Sequence, residues 1–267
     1  MATSDITDII GKIPYRVAFA GGWIDLPFCS EHDPEPPGSM VVAQVEPEFE
    51  WMPRCGICSS TRDIAMEIWD GEIPQDRPRE ELVEELFWAE NEDKEDHSGV
   101  QDMVGLIYPG ISRIDFDYKA NGGQFPVHIE TCNDPVVARW LSSVLWVVSI
   151  QPRPEGYYPL DVKNLDPAWV RRLGQSGADC YDGIVSMDIG KTGASFNECM
   201  LCWEALMPGI VRHHTIKRDL LRELAFYQDN YPGAMFSGCG GGYFYVLSDE
   251  PVPGGFQVTV RIDAEAA

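Results

Sequence analysis

The sequence predicts a mixture of helices and strands, folded as one large domain or as two closely joined lobes. The chain has 267 residues, enough for a full hydrophobic core. Apolar residues alternate with polar ones in some stretches and recur every three to four residues in others, which indicates strands and helices. Hydrophobic residues make up 44% of the chain, as in an ordinary globular protein.

Strand and helix patterns follow each other through the first half of the chain. Residues 13–20 alternate loosely and predict a strand, which a pair of glycines ends. Residues 39–49 predict a second strand. Residues 77–92 carry leucines and an alanine at helical spacing with glutamates between them, which predicts an amphipathic helix. Residues 111–117 alternate again and predict a strand.

The second half begins with the longest apolar stretch, residues 140–150. This stretch is too short to cross a bilayer and predicts a buried strand. Helix patterns follow over residues 195–207 and 216–227. Residues 243–247 predict an apolar strand, and residues 257–262 predict an edge strand.

A proline-rich stretch, residues 151–159, predicts a stiff exposed loop. Arg153, Tyr157 and Tyr158 lie in it. Lining a substrate pocket is the alternative role for these three side chains.

The charge balance is strongly acidic. Lys and Arg number 20 against 43 Asp and Glu, so the formal net charge is −23, and the isoelectric point is about 4.4. Such a surface repels nucleic acids and anionic membranes, so we expect neither as a partner. A phosphate site on this chain must therefore rest on local N–H groups, a metal ion and a few Arg or Lys side chains.

The cysteines and the N-terminus indicate a cytoplasmic protein. The eight cysteines lack the spacing of a disulfide framework, so we expect a reducing compartment. The first residues lack the basic and apolar regions of a signal peptide. Two CxxC pairs, Cys55/Cys58 and Cys199/Cys202, do not predict zinc, because one lies in a loop and the other inside a helix pattern.

Residues 52–62, Met-Pro-Arg-Cys-Gly-Ile-Cys-Ser-Ser-Thr-Arg, form a loop that opens onto a helix pattern. Gly56 frees the backbone for a tight turn, and the three hydroxyl residues favour a helix start. Free N–H groups and the positive end of a helix dipole suit a phosphate. Taken alone, the stretch is more simply explained as an ordinary loop and helix cap.

Three further stretches accompany this loop. They contain AGGWIDLP at residues 20–27, GVQDMVG at residues 99–105 and FSGCGGGYF at residues 236–244. Together with residues 52–62, and in this order, they resemble the signature motifs and the catalytic-Asp segment of the GHMP small-molecule kinases. The first two are most similar to the branch of L-fucokinase and heptose-7-phosphate kinase. Each motif is weak singly, and four in register are fairly specific.

The resemblance implies an α+β fold with two lobes. A ribosomal-S5-like lobe would cover residues 1–142 and a ferredoxin-like lobe residues 143–267, with the active site in the cleft between them. It also implies a kinase that uses ATP and Mg²⁺ to phosphorylate a hydroxyl of a small sugar or sugar-like acceptor. A homodimer stays open.

The resemblance further implies roles for single residues. Asp102 faces the acceptor hydroxyl as base or anchor, and Arg16 lies beside it. Ser60 and Glu90 hold the metal ion, with Glu92 as the rival of Glu90. The residues implied to bind ATP are Arg54, Cys55, Gly56, Ile57, Cys58, Ser59, Ser60, Thr61 and Arg62. Those implied to bind the acceptor are Gly22, Trp23, Asp25, Gly238, Gly240 and Gly241.

Two features depart from the family pattern. The segment that separates the first two motifs, and builds much of the adenine pocket in the family, is missing here. Either the nucleotide is held more openly, or a dimer partner completes the site, or the donor is unusual. Met103 stands where the family has Gln. A non-catalytic sugar- or nucleotide-binding protein and a decarboxylase-like enzyme on the same scaffold are the alternative functions.

Overall fold

The chain forms two antiparallel sheets with helices packed against them. The structure, a computed structural model, describes residues 11–263. The first sheet has its strands in chain order, namely β1 (Tyr15–Ala18), β2 (Gly38–Val45), β3 (Ile111–Phe116) and β4 (His128–Cys132). The second has the order β6, β7, β5, β8, from β5 (Leu145–Gln151), β6 (Gly233–Phe236), β7 (Gly242–Leu247) and β8 (Gly255–Phe256). The predicted α+β class is confirmed.

Helices connect and cover the sheets. Those of the first half are α1 (Pro27–Ser30), α2 (Ser59–Ile68), α3 (Arg79–Asn91), α4 (Gln101–Ile107) and α5 (Tyr118–Asn121). Those of the second half are α6 (Pro135–Val144), α7 (Pro167–Val185), α8 (Ile189–Leu206) and α9 (Leu220–Asn230). Each helix of the second half starts after an aspartate whose carboxylate accepts a hydrogen bond from a first-turn N–H, which fixes where it begins; these are Asp134, Asp166, Asp188 and Asp219.

The helix pair α7 and α8 joins the two sheets. Helix α7 packs on β2 of the first sheet, and α8 packs on β6 of the second. Glycines permit both close approaches, because a β-carbon on Gly177 would collide with the carbonyl oxygen of Ser39 and one on Gly193 with the backbone of Pro232. The predicted boundary between residues 142 and 143 falls inside α6, and the division into lobes stays a prediction.

The prediction of one buried strand over residues 140–150 is wrong in its first part. Helix α6 continues to Val144, and β5 begins at the next residue. The helix is set by its start, where Pro135 occupies the first turn and Asp134 caps the N–H of Val136 at 2.7 Å. Within residues 11–263, no helix has the length and apolar character needed to cross a membrane.

The prediction of an edge strand over residues 257–262 is also wrong. This segment makes one isolated bridge, between Val45 and Val260. The N–H of Val260 donates to the hydroxyl of Ser142 in α6 at 3.0 Å. This N–H is therefore not available to the carbonyl oxygen of a neighbouring strand. The short strand β8 precedes the segment and pairs with β5.

The packing of α7 on β2 predicts opposite effects for two Gly→Ala substitutions in the helix pair. Gly177→Ala should lower the free energy of unfolding by about 2 kcal/mol, because the added methyl overpacks the contact with Ser39. Gly190→Ala, at an exposed position in α8, should raise it by up to about 1 kcal/mol through helix propensity. Urea unfolding of both variants measures the difference, and equal shifts would contradict the packing argument.

Candidate active site

A cavity of about 520 Å³ lies where the two halves of the chain meet. Its wall is built from β1 and the turn after it, from residues 54–60, from residues 96–102 at the start of α4, from the 153–160 loop, from Trp203 and from residues 237–239. Six parts of the chain that are distant in sequence therefore converge on one space. They include parts of all four motifs found in the sequence.

The ion pair of the buried Arg16 and the partly exposed Asp102 forms one side of the cavity. Arg16 lies on β1 and is 4% exposed. Its Nη2 donates to Asp102 Oδ1, and its Nη1 donates to the carbonyl oxygen of Gly56 at 3.3 Å. Burial alone would lower the pKa of Arg16, but the adjacent carboxylate outweighs it and the pKa is raised. The Arg16 side chain therefore stays charged.

Thr61 connects Asp102 to Glu90. Its hydroxyl lies 2.6 Å from Glu90 Oε2 and 3.1 Å from Asp102 Oδ2. A hydroxyl has one hydrogen, and the shorter contact takes it. The other oxygen of Glu90 accepts from Lys94 Nζ at 2.9 Å. Thr61 is fully buried, so the structure gives it a linking position rather than a place on the cavity wall.

The loop of residues 52–58, called the phosphate loop after its predicted role, precedes α2 and is strongly bent. Arg54, Gly56 and Cys58 have positive φ angles of 56°, 80° and 56°. Alternation of left-handed residues turns successive N–H groups toward one side, which makes an anion-binding concavity. None of the N–H groups of residues 54–58 donates to a backbone carbonyl within residues 11–263. Cys58 occupies the N-cap of α2, and the exposed Ser60 follows on the cavity wall.

The other loop residues turn toward the protein interior. Ile57 is fully buried, and Cys55 and Cys58 are nearly so while still touching the cavity. Burial raises the pKa of both thiols, so they stay neutral. Arg62 donates from Nε to the carbonyl oxygen of Ile13 at 2.9 Å. The structure thus brings Arg54, Cys55, Gly56, Cys58 and Ser60 to the cavity, but not Ile57, Thr61 or Arg62.

Oxygen atoms of the kind that magnesium ions prefer lie on and behind the cavity wall, near the phosphate loop. Ser60 offers a hydroxyl on the wall, and the carboxylates of Glu90 and Asp102 approach Thr61 from two sides. Mg²⁺ prefers such hard oxygen ligands and takes the rest from phosphates and water. The described residues contain no cluster of three or more His, Cys, Asp or Glu side chains. The oxygens of Ser60, Glu90 and Asp102 fit a phosphate-bound ion if Lys94 releases Glu90. The rival residue Glu92 is exposed at the end of α3.

Aromatic side chains form the opposite side of the cavity. Trp23 lies on the wall with a φ of 84°, a left-handed conformation that is unusual for a bulky residue. Trp203 of α8 also lines the cavity, and its Nε1 donates to the carbonyl oxygen of Gly22 at 3.0 Å. Gly22 thus lies on the wall beside both indoles. Sequence periodicity assigned no role to Trp203.

Asp25 lies behind the cavity wall rather than in it. It is 1% exposed, and a β-carbon on Gly99 would collide with its carboxylate. Neither carboxylate oxygen accepts a well-formed hydrogen bond within residues 11–263. Burial first and the charge of Asp102 second raise its pKa from 3.8 to about 6, although the N–H groups of Asp25 and Gln101 counter part of the rise.

The C-terminal glycine loop closes on the phosphate loop. Ser237 Oγ donates to the carbonyl oxygen of Cys55 at 2.7 Å, and Gly238 lines the cavity. Gly240 packs on the ring of Tyr157, and Gly241 packs on the backbone of residues 151–153. Of the three glycines implied to bind the acceptor, the structure brings only Gly238 to the cavity.

The 151–160 loop contributes to the wall as well. Arg153, Tyr157 and Tyr158 all line the cavity, so the alternative role considered for them matches the geometry better than a free exposed loop. The Tyr157 hydroxyl donates to the carbonyl oxygen of Gly209 at 3.0 Å. His97 is a further wall residue, packed edge-on against Phe87. Only the fold brings these side chains to the motif residues.

The fold is that of the GHMP kinases. A mevalonate kinase matches with a TM-score of 0.59 at 10% identity, over 95% of this chain and 99% of that one. A D-glycero-D-manno-heptose 1-phosphate kinase from Bacteriodes thetaiotaomicron matches with a TM-score of 0.56 at 12% identity, over 94% and 96%. Lactococcus lactis galactokinase complexed with galactose matches with a TM-score of 0.55 at 13% identity, over 94% and 93%.

Sequence comparison adds nothing to this likeness. No protein-family model matches the chain, and no curated protein matches it. The predicted resemblance to GHMP kinases is thus confirmed for the fold. A heptose kinase stands among the neighbours beside mevalonate and galactose kinases, so the narrower branch has only loose support.

The raised pKa of Asp25 predicts that stability falls as the pH rises from about 4 to about 6. The native protein keeps a proton there that the unfolded chain loses, so the free energy of unfolding decreases by about 3 kcal/mol and then levels off. Asp25→Asn should remove this component and be the more stable protein at pH 7. Urea unfolding from pH 4 to pH 8 measures it, with the exposed Asp93→Asn as control. Parallel curves for wild type and Asp25→Asn would refute the assignment.

Proposed function

We propose that this protein is a GHMP-type kinase, which transfers the γ-phosphoryl group of ATP to a hydroxyl of a small sugar-like acceptor. The observation that carries the proposal is the Arg16–Asp102 ion pair, which faces the same cavity as the bent phosphate loop. A carboxylate held by a guanidinium, next to a cradle of N–H groups, is an arrangement suited to phosphoryl transfer.

In this mechanism, the free N–H groups of residues 54–58 and the start of α2 bind the donor phosphates. Asp102 receives the proton of the acceptor hydroxyl as the oxygen attacks phosphorus. A carboxylate suffices for this, because the transition state is loose and the proton leaves late. Arg16 fixes one oxygen of Asp102, and the other oxygen lies on the side of Thr61 and the ligand.

Ser60 and Glu90 would hold the metal ion, and Thr61 orients the carboxylate of Glu90 toward this position. Bound Mg²⁺ would neutralise charge on the donor phosphates. The overall charge of −23 opposes an anionic nucleotide at long range. Local positive groups therefore supply most of the attraction for the donor.

A sugar-like acceptor is supported by the other side of the cavity. The partly exposed Trp23 and the buried Trp203 give the wall apolar surface, against which the apolar face of a sugar ring can pack. Two of the compared proteins, the heptose 1-phosphate kinase and the galactokinase, are sugar kinases by name. Gly22, Trp23 and Gly238 are the proposed acceptor contacts, and Asp25 supports them from behind the wall.

One observation supports the decarboxylase-like alternative. It requires basic residues that face an acidic substrate, and Arg54 and Arg153 both line the cavity. The two functions differ in their products. A kinase yields ADP and a phosphorylated acceptor, whereas a phosphorylation-assisted decarboxylase yields ADP, inorganic phosphate, carbon dioxide and an alkene.

Release of ADP from Mg-ATP, over a panel of sugars, sugar phosphates and cyclitols, tests the proposal. Asp102→Asn should lower the acceptor-dependent rate by at least about 100-fold, because it removes the proton acceptor. Nucleotide binding should stay within about threefold. Asp96→Asn, which changes an exposed carboxylate of the same wall, should keep the wild-type rate. Full activity of Asp102→Asn, or equal loss in both variants, would sink the assignment.

Ser60→Ala should raise the magnesium concentration that gives half-maximal turnover, because one oxygen ligand is lost. A rise of about tenfold corresponds to about 1.4 kcal/mol. Ser186→Ala, at the exposed end of α7, serves as the matched control. An unchanged magnesium requirement in Ser60→Ala would remove this residue from the metal site.

A further inference from the structure

We propose that Arg153 and Arg54 form an anion subsite in the cavity wall, so that the acceptor is a hydroxyl compound which itself carries a phosphate or carboxylate group. This inference rests on the proposed kinase function and adds the charge of the acceptor to it. The two arginines come from different halves of the chain and meet only in the folded protein.

Arg153 is a cation of the wall without a protein partner. No hydrogen bond or ion pair joins its guanidinium to any group within residues 11–263, and its Nε is buried. A buried charged donor without a partner is costly, unless a ligand supplies the acceptor. The absence is notable in a chain with 43 acidic and 20 basic side chains.

The space beside this guanidinium is kept open by a glycine. A β-carbon on Gly238 would lie 2.7 Å from Arg153 Nη2, too close for any side chain to fit without displacing the arginine. Gly238 also lines the cavity. The glycine loop therefore leaves Arg153 facing the ligand space.

Two hydrogen bonds hold the arginines next to each other. The N–H of Arg153 donates to the carbonyl oxygen of Arg54 at 3.1 Å. Arg54 Nη2 donates to the carbonyl oxygen of Pro154 at 2.7 Å and keeps its other donors for a ligand. Planar guanidinium groups bind carboxylates and phosphates with paired hydrogen bonds, so two neighbouring ones suit a single oxyanion.

The placement of the pair favours the acceptor over the donor. Arg54 reaches toward the 151–160 loop, which also brings Tyr157 and Tyr158 to the cavity. The donor phosphates already have the N–H groups of the phosphate loop and the N-terminus of α2. Arg16 is not available for an anion, because Asp102 neutralises it.

The test compares three acceptors in the ADP-release assay: a neutral sugar, its phosphate ester and the corresponding sugar acid. The wild type should prefer an anionic acceptor. Arg153→Gln should raise the KM of that acceptor by at least about tenfold, the loss expected for a charge-assisted hydrogen bond. The KM of ATP should change by less than about threefold. Arg153→Lys should recover part of the effect, and Arg139→Gln, outside this cavity, should behave as wild type.

Two results would overturn the subsite while leaving the kinase standing. One is a preference for the neutral sugar with a KM that Arg153→Gln does not change. The other is a rise in the KM of ATP alone, which would assign Arg153 to the donor. Absence of acceptor-dependent ADP release in the wild type would instead refute the kinase.

If the wild type shows no acceptor-dependent ADP release, calorimetric titration with inorganic phosphate still tests the anion subsite. Binding that weakens at least about fivefold in Arg153→Gln and Arg54→Gln supports it. Equal affinity in wild type and both variants overturns it. Circular dichroism of each variant checks that the protein is folded.

Discussion

The ion pair between Arg16 and Asp102 is the constraint to which the surrounding structure is fitted. Arg16 is almost entirely out of water, so loss of Asp102 would leave a buried positive charge uncompensated, at a cost of about 3–5 kcal/mol. The sequence around the pair accommodates it. Gly105 leaves room for the arginine side chain, Gly56 supplies a carbonyl oxygen, and the Thr61 hydroxyl lies 3.1 Å from the second oxygen of Asp102. A change at any of these positions therefore alters the Arg16–Asp102 pair through one direct contact.

The cavity exists only because loops of the two halves lock together. Ser237 bonds to the phosphate loop at Cys55, and Arg153 bonds to it at Arg54. A β-carbon on Gly56 would lie 2.8 Å from the carbonyl oxygen of Ser237, so the glycine at this contact is required by space as well as by its positive φ. Hydrogen bonds to backbone carbonyl oxygens thus join the two sides of the cavity, and these bonds do not depend on the charge of the bulk surface.

Local sequence predicted the elements that are defined by strong periodicity or by glycine punctuation, among them β1, α3, β3 and β7. It failed at residues 140–150, where a capped helix and a strand follow each other in one apolar run. The motif residues that line the cavity, such as Ser60 and Gly238, were predicted from the resemblance. Trp203 was not assigned, and a pocket role for Arg153 was only the alternative to an exposed loop, because a tryptophan in a helix and an arginine in a loop look ordinary until distant segments meet. Nor does sequence distance reveal that Asp25 and Thr61 lie behind the wall, since burial depends on packing.

The left-handed backbone conformation of Trp23 bears on how mutation could alter the ligands that the cavity accepts. A left-handed conformation at a bulky residue costs on the order of 1–3 kcal/mol, and the surrounding structure must offset this cost. Glycine adopts that conformation freely. Replacement of Trp23 by glycine would therefore enlarge the cavity and relieve backbone strain in one step, whereas most enlargements of a packed pocket lose stability. The position offers a short mutational path to bulkier acceptors, and variation among related chains would be expected to concentrate there.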